Sequence, residues 1–308
     1  MTWLTGLTAL SLVAGMALAA SSALGADGAA APEAPGLAPT EKPAAQKPAP
    51  TAKPDAAPAD GKAPAPAKKA RVLLLTGGHD FEEKPFLALF DANADISYKH
   101  VAEKVGGEAF SPDAGGDRAV IQQPTANQRR DISTFPYDVI VLYNHARKLT
   151  AAQQQNFLSL LEKGVGLVVL HHAIAAYDGW REFEKIVGGR YYLSAVDEGG
   201  VKHPASNYKH DVDFTVHIQD TDHPITRGLK DFKIHDETYI GCSFDPKIHV
   251  LLTTDERTSD KTIGWTHSYA KARVAYLMGG HDHVAYANES FRALVARAIR
   301  WAAPSEAK

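Results

Sequence analysis

Gly166-Leu-Val-Val-Leu-His171-His172 is one of four short apolar runs in the chain that lead directly into histidine. The other three are Val72-Leu-Leu-Leu-Thr-Gly-Gly-His79-Asp80, Val139-Ile-Val-Leu-Tyr-Asn-His145 and Val274-Ala-Tyr-Leu-Met-Gly-Gly-His281-Asp282-His283. Nearly continuous Val, Leu and Ile runs are typical of strands buried on both faces of a parallel sheet. Ligands of open α/β sheets bind beyond the carboxyl ends of such strands. The four runs therefore predict one sheet with at least six histidines along one edge, which is the expected ligand site.

Helix-like segments alternate with the strand-like runs. Expected helices cover Phe81 to Asp91, Thr150 to Lys163, Gly179 to Val187 and Ser290 to Ala302, and a further strand covers Asp95 to Val101. This alternation predicts an α/β fold, a three-layer sandwich with a mainly parallel sheet. Between Gly188 and Thr266 the pattern changes to β-like runs. We expect a β-rich insertion there that adds antiparallel strands or covers the histidine-bearing edge. The polar stretch 106–130 is expected to be a loop with a short helix.

The N-terminal 69 residues contain two segments of different composition. Residues 1–25 hold an uncharged Leu- and Ala-rich run followed by small residues, which predicts a secretory signal peptide. The start lacks Lys and Arg, so an uncleaved membrane anchor is the alternative. Residues 26–69 carry ten of the 18 prolines and no Ile, Val, Phe, Tyr or Trp. That composition predicts a disordered Pro/Ala/Lys-rich linker, and the folded domain is expected to cover residues 70–303.

Composition and missing motifs exclude several classes of function. The net charge is −3 and no basic stripe or zinc-finger spacing occurs, so nucleic-acid binding has no support. The chain has no phosphate loop, no Gly-x-Gly-x-x-Gly after the first strand and no Gly-x-Ser-x-Gly elbow, and no nucleotide is expected. Cys242 is the sole cysteine. An intrachain disulfide is therefore excluded, and we interpret Cys242 as a small buried residue rather than a nucleophile.

Two groups of polar residues could carry chemistry. The first group includes His171-His172 and His281-Asp282, which follow buried strands, the latter directly after Gly279-Gly280. It also includes Asp236-Glu237, which belongs to the insertion. Such a set fits a divalent metal held by imidazoles and a carboxylate, or metal-free acid/base catalysis by histidine. No short metal signature is present, and several histidines could instead cap helices or bridge backbone groups. The expected catalytic residues are His171, His172, Asp236, Glu237, His281 and Asp282, and the candidate ligands of zinc or a similar metal are His171, His281 and Asp282.

The second group is expected to bind substrate. His79, Asp80 and His145 are predicted to form the pocket wall. Trp180 and Tyr239 could stack on a sugar ring, although both also fit a hydrophobic core. His203 lies in a Gly-rich region that could fold over a ligand.

Several ordered motifs resemble the trehalose-utilisation (ThuA-like) family. They are Leu170-His-His-Ala-Ile, Trp180-Arg-Glu-Phe, Val187-Gly-Gly-Arg, His223-Pro-Ile-Thr-Arg-Gly-Leu, Asp236-Glu-Thr-Tyr, Arg273-Val-Ala-Tyr, Gly280-His-Asp and Ile299-Arg-Trp-Ala-Ala. The resemblance covers about residues 71–302. It implies a flavodoxin-like sandwich of the class I glutamine amidotransferase type without that superfamily's Cys-His-Glu triad. His171 falls about where the nucleophile elbow of those enzymes would be.

Members of this family are linked to disaccharide use, and their own reaction is poorly defined. We therefore expect an exported carbohydrate-active enzyme, secreted or periplasmic in a bacterial envelope. It would act on a sugar or keto-sugar glycoside by hydrolysis, elimination or isomerisation, with Glu237 or His172 as the base. The alternatives are a non-catalytic sugar-binding or scaffolding module and a metal-dependent amide or ester hydrolase. The expected partner is a small carbohydrate. Membrane contact is expected only if the N-terminal segment is not cleaved, and a homo-oligomer is left open.

Overall fold

The computed structural model describes residues 69–104, 108–110 and 135–304. The predicted signal peptide and linker lie outside these residues, as does most of the predicted 106–130 loop, of which Glu108–Phe110 form a 3-10 turn. Within the described ranges, no helix has both the length and the apolar character needed to cross a membrane.

The described residues form thirteen β-strands and five α-helices. They are β1 (Ala70–Gly77), α1 (Glu83–Asp91), β2 (Ile96–Ala102), β3 (Val139–Asn144), α2 (Ala151–Glu162), β4 (Gly166–Leu170), α3 (Arg181–Val187), β5 (Gly189–Arg190), β6 (Val196–Glu198), β7 (Val201–His203), β8 (Asn207–Ile218), β9 (Phe232–Ile240), β10 (Ser243–Phe244), β11 (His249–Thr253), β12 (Thr262–Tyr269), β13 (Ala272–Leu277), α4 (His283–Ala287) and α5 (Glu289–Ala302).

A nine-stranded sheet in the order β2-β1-β3-β4-β13-β12-β11-β8-β9 forms the centre of the domain. The four apolar runs are β1, β3, β4 and β13, which lie side by side and pair in parallel. Every residue of β3 and β4 is buried, since helices cover both faces of this part of the sheet. The prediction that these runs belong to one parallel sheet is confirmed.

The insertion extends the sheet with antiparallel strands, as expected. Strands β12, β11, β8 and β9 continue it from β13, and each of these pairings is antiparallel. Two short pairs, β5 with β10 and β6 with β7, lie outside the main sheet. The α/β sandwich is therefore confirmed, with a parallel half that carries the histidines and an antiparallel half that carries Asp236 and Glu237.

Local signals explain where the helices begin and end. Thr150 caps α2 through a capping box with Gln153, as its sequence predicts. α3 ends at Gly188, whose φ of +79° is a left-handed conformation that favours glycine. Helices α1, α4 and α5 contact one another, and α5 also packs along β1, β3, β4 and β13. The short α4, which the sequence pattern does not predict, begins directly after the last histidine-bearing turn.

Candidate functional site

The carboxyl ends of the parallel strands surround a pocket. It encloses about 660 Å³ of space with its open mouth included, a size that suits a small organic ligand. Four of its lining residues are histidines, and one wall comes from the insertion. The lining residues are His79, His145, His172, Ile174, Ala175, Tyr191, Leu193, Tyr208, His210, Glu237 and Tyr239.

His171 is held rigidly at the end of β4. Leu170 pairs with Leu277 of β13. The residues that follow these two strands, His171 and Met278, therefore lie side by side. The Nδ1–H of His171 donates to the Met278 carbonyl at 2.7 Å. His171 has a φ of +54°, which is rare for a residue with a side chain and is found at functional sites where the surroundings enforce it. The ring is 1 % exposed, and its Nε2 faces the insertion.

Four polar side chains contact the carboxylate of Glu237. Its Oε2 lies 2.9 Å from His171 Nε2, 3.1 Å from the Tyr239 hydroxyl and 3.4 Å from His281 Nδ1. Its Oε1 lies 3.3 Å from His210 Nδ1. Burial raises the pKa of the Glu237 carboxyl, but hydrogen bonds from His171 and His281 outweigh burial and hold this pKa well below its usual range. Glu237 is therefore ionised at neutral pH. The hydrogen bond between His281 and Glu237 also raises the pKa of His281.

The buried side chain of Asp236 holds the backbone next to this cluster in place. Its side chain is 2 % exposed and accepts three backbone N–H bonds, from Glu237 at 2.8 Å, Gly280 at 2.7 Å and His281 at 3.0 Å. Burial raises the Asp236 pKa, while the N–H bonds oppose that rise. A Cβ on Gly279 would lie 2.9 Å from Asp236 Oδ2, so only glycine leaves room for the carboxylate. Asp236 therefore holds the turn that presents His281.

The cluster of His171, Glu237 and His281 has the donor chemistry of a transition-metal site. One nitrogen or oxygen of each residue lies within 4.8 Å of the others. Since His171 gives its Nδ1 proton to a backbone carbonyl, its Nε2, 2.9 Å from the Glu237 carboxylate, either carries a second proton that it donates to Glu237 or presents a lone pair to it. Two facing lone pairs at this distance require a proton or a metal cation between them. A backbone carbonyl that orients a histidine ring is the usual outer support of a metal ligand. These residues fit a divalent ion.

A second wall is made of three more histidines. The ring of His172 stacks on that of His79 at 4.8 Å between centroids and meets the ring of His145 edge-on at 5.7 Å. Burial lowers the pKa of His172 and of His145, and the neighbouring imidazoles lower both further. These two rings are therefore neutral at neutral pH. His172 and Glu237 both line the pocket.

Four expected site residues lie elsewhere, and three of them have another structural role. The Asp282 carboxylate caps α4 by accepting from the Val284 and Ala285 N–H groups, so the carboxylate of the cluster is that of Glu237. The Asp80 side chain is exposed and does not line the pocket. Trp180 packs with Tyr177 and Phe183, and His203 stacks on Tyr192 at 4.8 Å. Tyr239 lies within the cluster, where its ring stacks on His171.

Cys242 does not belong to the pocket. Burial raises the pKa of its thiol, which disfavours the reactive thiolate. Cys242 is partly rather than fully buried, and its raised pKa agrees with the interpretation that it is not a nucleophile.

His210 is the main site residue that the sequence analysis did not single out. Lys209 pairs with Thr238, but the next paired residue, Val212, is opposite Asp236, so His210 and Asp211 share the place opposite Glu237. Such a bulge re-aims side chains, and here it turns His210 onto Glu237. Tyr191, Leu193 and Tyr208 were also not predicted. A bulge leaves no clear sequence signal, because it depends on the register between β8 and β9.

Comparison with known proteins agrees with this architecture. The family model for ThuA, described as trehalose utilisation, matches residues 97–302. The chain belongs to the ThuA family. None of the curated proteins matches it.

Solved structures share the ThuA fold at low sequence identity. A ThuA-like protein from Parabacteroides merdae has a TM-score of 0.61 and 19 % identity, covering 76 % of this chain and 90 % of that one. One from Bacteroides uniformis has a TM-score of 0.54 and 19 % identity, with 77 % and 93 % covered. A cytoplasmic protein of Salmonella typhimurium has a TM-score of 0.51 and 10 % identity, with 76 % and 99 % covered. At these identities the likeness shows the fold alone.

Proposed function

We propose that this ThuA protein is an enzyme that acts on a sugar or keto-sugar derivative bound in the histidine-lined pocket. One observation carries the proposal: a single carboxylate oxygen, Glu237 Oε2, is contacted at 2.9 to 3.4 Å by His171, Tyr239 and His281 at the rim of a ligand-sized pocket. Burying such a cluster is costly, and titratable groups with strongly perturbed pKa values beside a pocket are typical of functional sites. The family description supports the sugar class.

Residues His171, Glu237 and His281 would hold a divalent ion, zinc or similar. When bound, such an ion polarises a substrate oxygen and so stabilises the negative charge that develops there. The Tyr239 hydroxyl donates within the cluster and orients Glu237, and Asp236 fixes the backbone of His281. His210 is about half exposed and contacts Glu237 Oε1, so it connects the cluster to solvent.

The same residues support metal-free acid/base chemistry. Glu237 raises the pKa of His281 and so favours an imidazolium beside the pocket, which can donate a proton to a substrate oxygen. A strongly ionised Glu237 is a weak base, and its role in this chemistry is to hold the charge of His281. His172, the other residue expected to act as the base, presents a neutral ring to the pocket, and burial lowers its pKa as well, so it too is a weak base.

The test combines metal analysis with a substrate screen. Full-length protein without a His-tag is analysed for metal after dialysis, and native and oxidised disaccharides are screened for turnover by mass spectrometry. His171→Ala and His281→Ala should lose the metal and the turnover while keeping the fold. His249→Ala, a change at an exposed histidine paired with Asp220, is the matched control. Full turnover in both site variants would contradict the proposal, and binding without turnover in the wild type would favour the sugar-binding module.

We also propose that the protein is exported to the bacterial envelope. The apolar, small-residue composition of residues 1–25 and the Pro-rich composition of residues 26–69 support this location. N-terminal sequencing of the protein from separated cell fractions tests it. A mature N-terminus close to residue 26 in the periplasmic fraction is the expected result, and an intact Met1 in the cytosol would contradict it.

A further inference from the structure

Two exposed apolar side chains lie at the mouth of the histidine-lined pocket. Five large hydrophobic side chains are exposed among the described residues, and Tyr208, at 59 %, is the most exposed of them and the one aromatic residue. Tyr208 and Leu193, which is 38 % exposed, both line the pocket. Since the lining residues Glu237 and Tyr239 are buried, the pocket runs from a buried polar end to a mouth with apolar surface. Exposed apolar surface of this kind is typical of a ligand-binding groove.

The backbone holds these two side chains in place. Tyr208 belongs to β8 and pairs with Tyr239 of β9. Ser206, directly before β8, connects this strand to the segment that carries Leu193. Its N–H donates to the Tyr192 carbonyl at 2.9 Å, and its hydroxyl oxygen accepts from the Tyr192 N–H at 3.0 Å. A binding surface whose backbone is ordered in this way before the ligand arrives loses less entropy on binding.

The apolar surface at the mouth begins directly beside the Glu237 cluster. The ring of Tyr208 meets that of His210 edge-on at 5.0 Å between centroids, and His210 Nδ1 lies 3.3 Å from Glu237 Oε1. A sugar bound next to the cluster would therefore direct a substituent toward Tyr208. The tyrosine ring and the leucine side chain offer this substituent apolar surface without charge, and an aromatic ring packs well on a tyrosine ring.

We propose that Tyr208 and Leu193 form a subsite for a planar apolar ring attached to the sugar, as in an aryl glycoside. The inference rests on the proposed function and narrows its substrate to sugars that carry an aromatic substituent. A second sugar ring fits this surface less well, because its hydroxyl groups need hydrogen-bond partners that a leucine side chain and the face of a tyrosine ring do not supply. Tyr208 is thereby a specificity-determining residue, which contacts the substituent of the substrate.

A matched pair of ligands isolates this subsite. Methyl β-glucoside and phenyl β-glucoside carry the same sugar and differ only in the substituent. Their dissociation constants for the full-length protein are measured by saturation-transfer NMR titration. We expect the wild type to bind phenyl β-glucoside about tenfold more tightly than methyl β-glucoside, as expected when one ring face packs on Tyr208. Trehalose, which has a second sugar ring in place of the phenyl group, should bind more weakly than phenyl β-glucoside.

Substitutions at the mouth then separate the tyrosine ring from its hydroxyl group. Tyr208→Ser should bring the ratio of the two affinities close to one and leave the binding of methyl β-glucoside unchanged, whereas Tyr208→Phe should keep the ratio because it keeps the ring. Leu193→Ser is an independent variant that should also lower the ratio. Val201→Ser is the matched control, since Val201 is 58 % exposed but does not line the pocket. Thermal unfolding of each variant shows whether its fold is kept.

The contrary results are distinct for the subsite and for the enzyme. A ratio near one in the wild type, a ratio that survives in Tyr208→Ser, or no binding of phenyl β-glucoside would overturn the subsite. Tighter binding of trehalose, with the same dependence on Tyr208, would assign the mouth to a second sugar ring and overturn the aromatic substituent. Binding of phenyl β-glucoside that depends on Tyr208, without turnover of any glycoside, would keep the subsite and reject the enzymatic function. Turnover with an unchanged ratio in Tyr208→Ser would do the reverse.

Discussion

Replacing Asp236 with Asn tests whether a buried carboxylate holds the turn that carries His281. In the native protein, Asp236 Oδ1 accepts the N–H groups of Glu237 and His281, and Oδ2 accepts that of Gly280 at 2.7 Å. The side chain of the Asp236→Asn variant has one oxygen, which can keep the first two bonds. Its amide nitrogen would then face the N–H of Gly280, and two donors at this distance repel.

The cost can be worked from these contacts. A buried donor left without an acceptor costs about 1–3 kcal/mol. The two remaining bonds lose the charge on their acceptor, which roughly halves their strength. Removing a charge that burial disfavours offsets part of this loss, since burial raises the Asp236 pKa. A net destabilisation of about 2 kcal/mol lowers the midpoint of thermal unfolding by roughly 4–8 °C for a domain of this size.

Asp282→Asn is the matched control in the same assay. Asp282 also accepts two backbone N–H bonds, but it does so at the exposed N-terminus of α4, where Asn caps a helix as well as Asp. Thermal unfolding followed by circular dichroism should therefore give a midpoint close to that of the wild type. If Asp236→Asn also melts within about 1 °C of the wild type, or if both variants lose the same stability, the reasoning about burial is refuted.

Three further predictions concern other parts of the domain. Tyr239→Phe removes the hydroxyl that contacts His171 and Glu237, and it should lower the free energy of unfolding by about 1–3 kcal/mol in urea titrations; an unchanged value would contradict that contact. Gly166→Ala should strongly reduce soluble yield and melting temperature, because its Cβ would lie 2.2 Å from the Ala302 carbonyl oxygen; a normally folded variant would show that α5 shifts freely. Metal-free protein should lose stability as pH falls below about 6.5, because burial lowers the pKa of four histidines and only the unfolded chain takes up their protons in that range. They outnumber His235 and His281, whose raised pKa has the opposite effect. A melting temperature that rises from pH 6.5 to pH 5.5 would contradict this. The four histidines with a lowered pKa are His100, His145, His172 and His223.

The strands and the histidines at their ends are readable from the sequence because both are local features. A run such as Val139–Tyr143 is apolar at every position, which only a strand covered on both faces requires. Histidine immediately after such a run must then lie at the edge of the sheet. Helix ends are equally local, as the capping box at Thr150 shows.

The partners of each histidine are not readable in this way. Asp282 directly follows His281 and has the chemistry of a metal ligand, yet its carboxylate caps α4, and Glu237 occupies the cluster instead. Which carboxylate joins the cluster depends on where β9 lies relative to β13, and these two strands are about 40 residues apart in the sequence. His210 reaches Glu237 only because of the bulge in β8.

The sequence by itself therefore determined the α/β class, the parallel strands and the edge of the sheet at which the site lies, because hydrophobic periodicity and strand ends are encoded over five to ten neighbouring residues. Only the tertiary structure decided which groups meet at that edge: Glu237 with His171 and His281, and His172 with His79 and His145. The physical reason is that hydrogen bonds and lone pairs act over about 3 Å, and distances that short between remote residues are set by strand register and by packing.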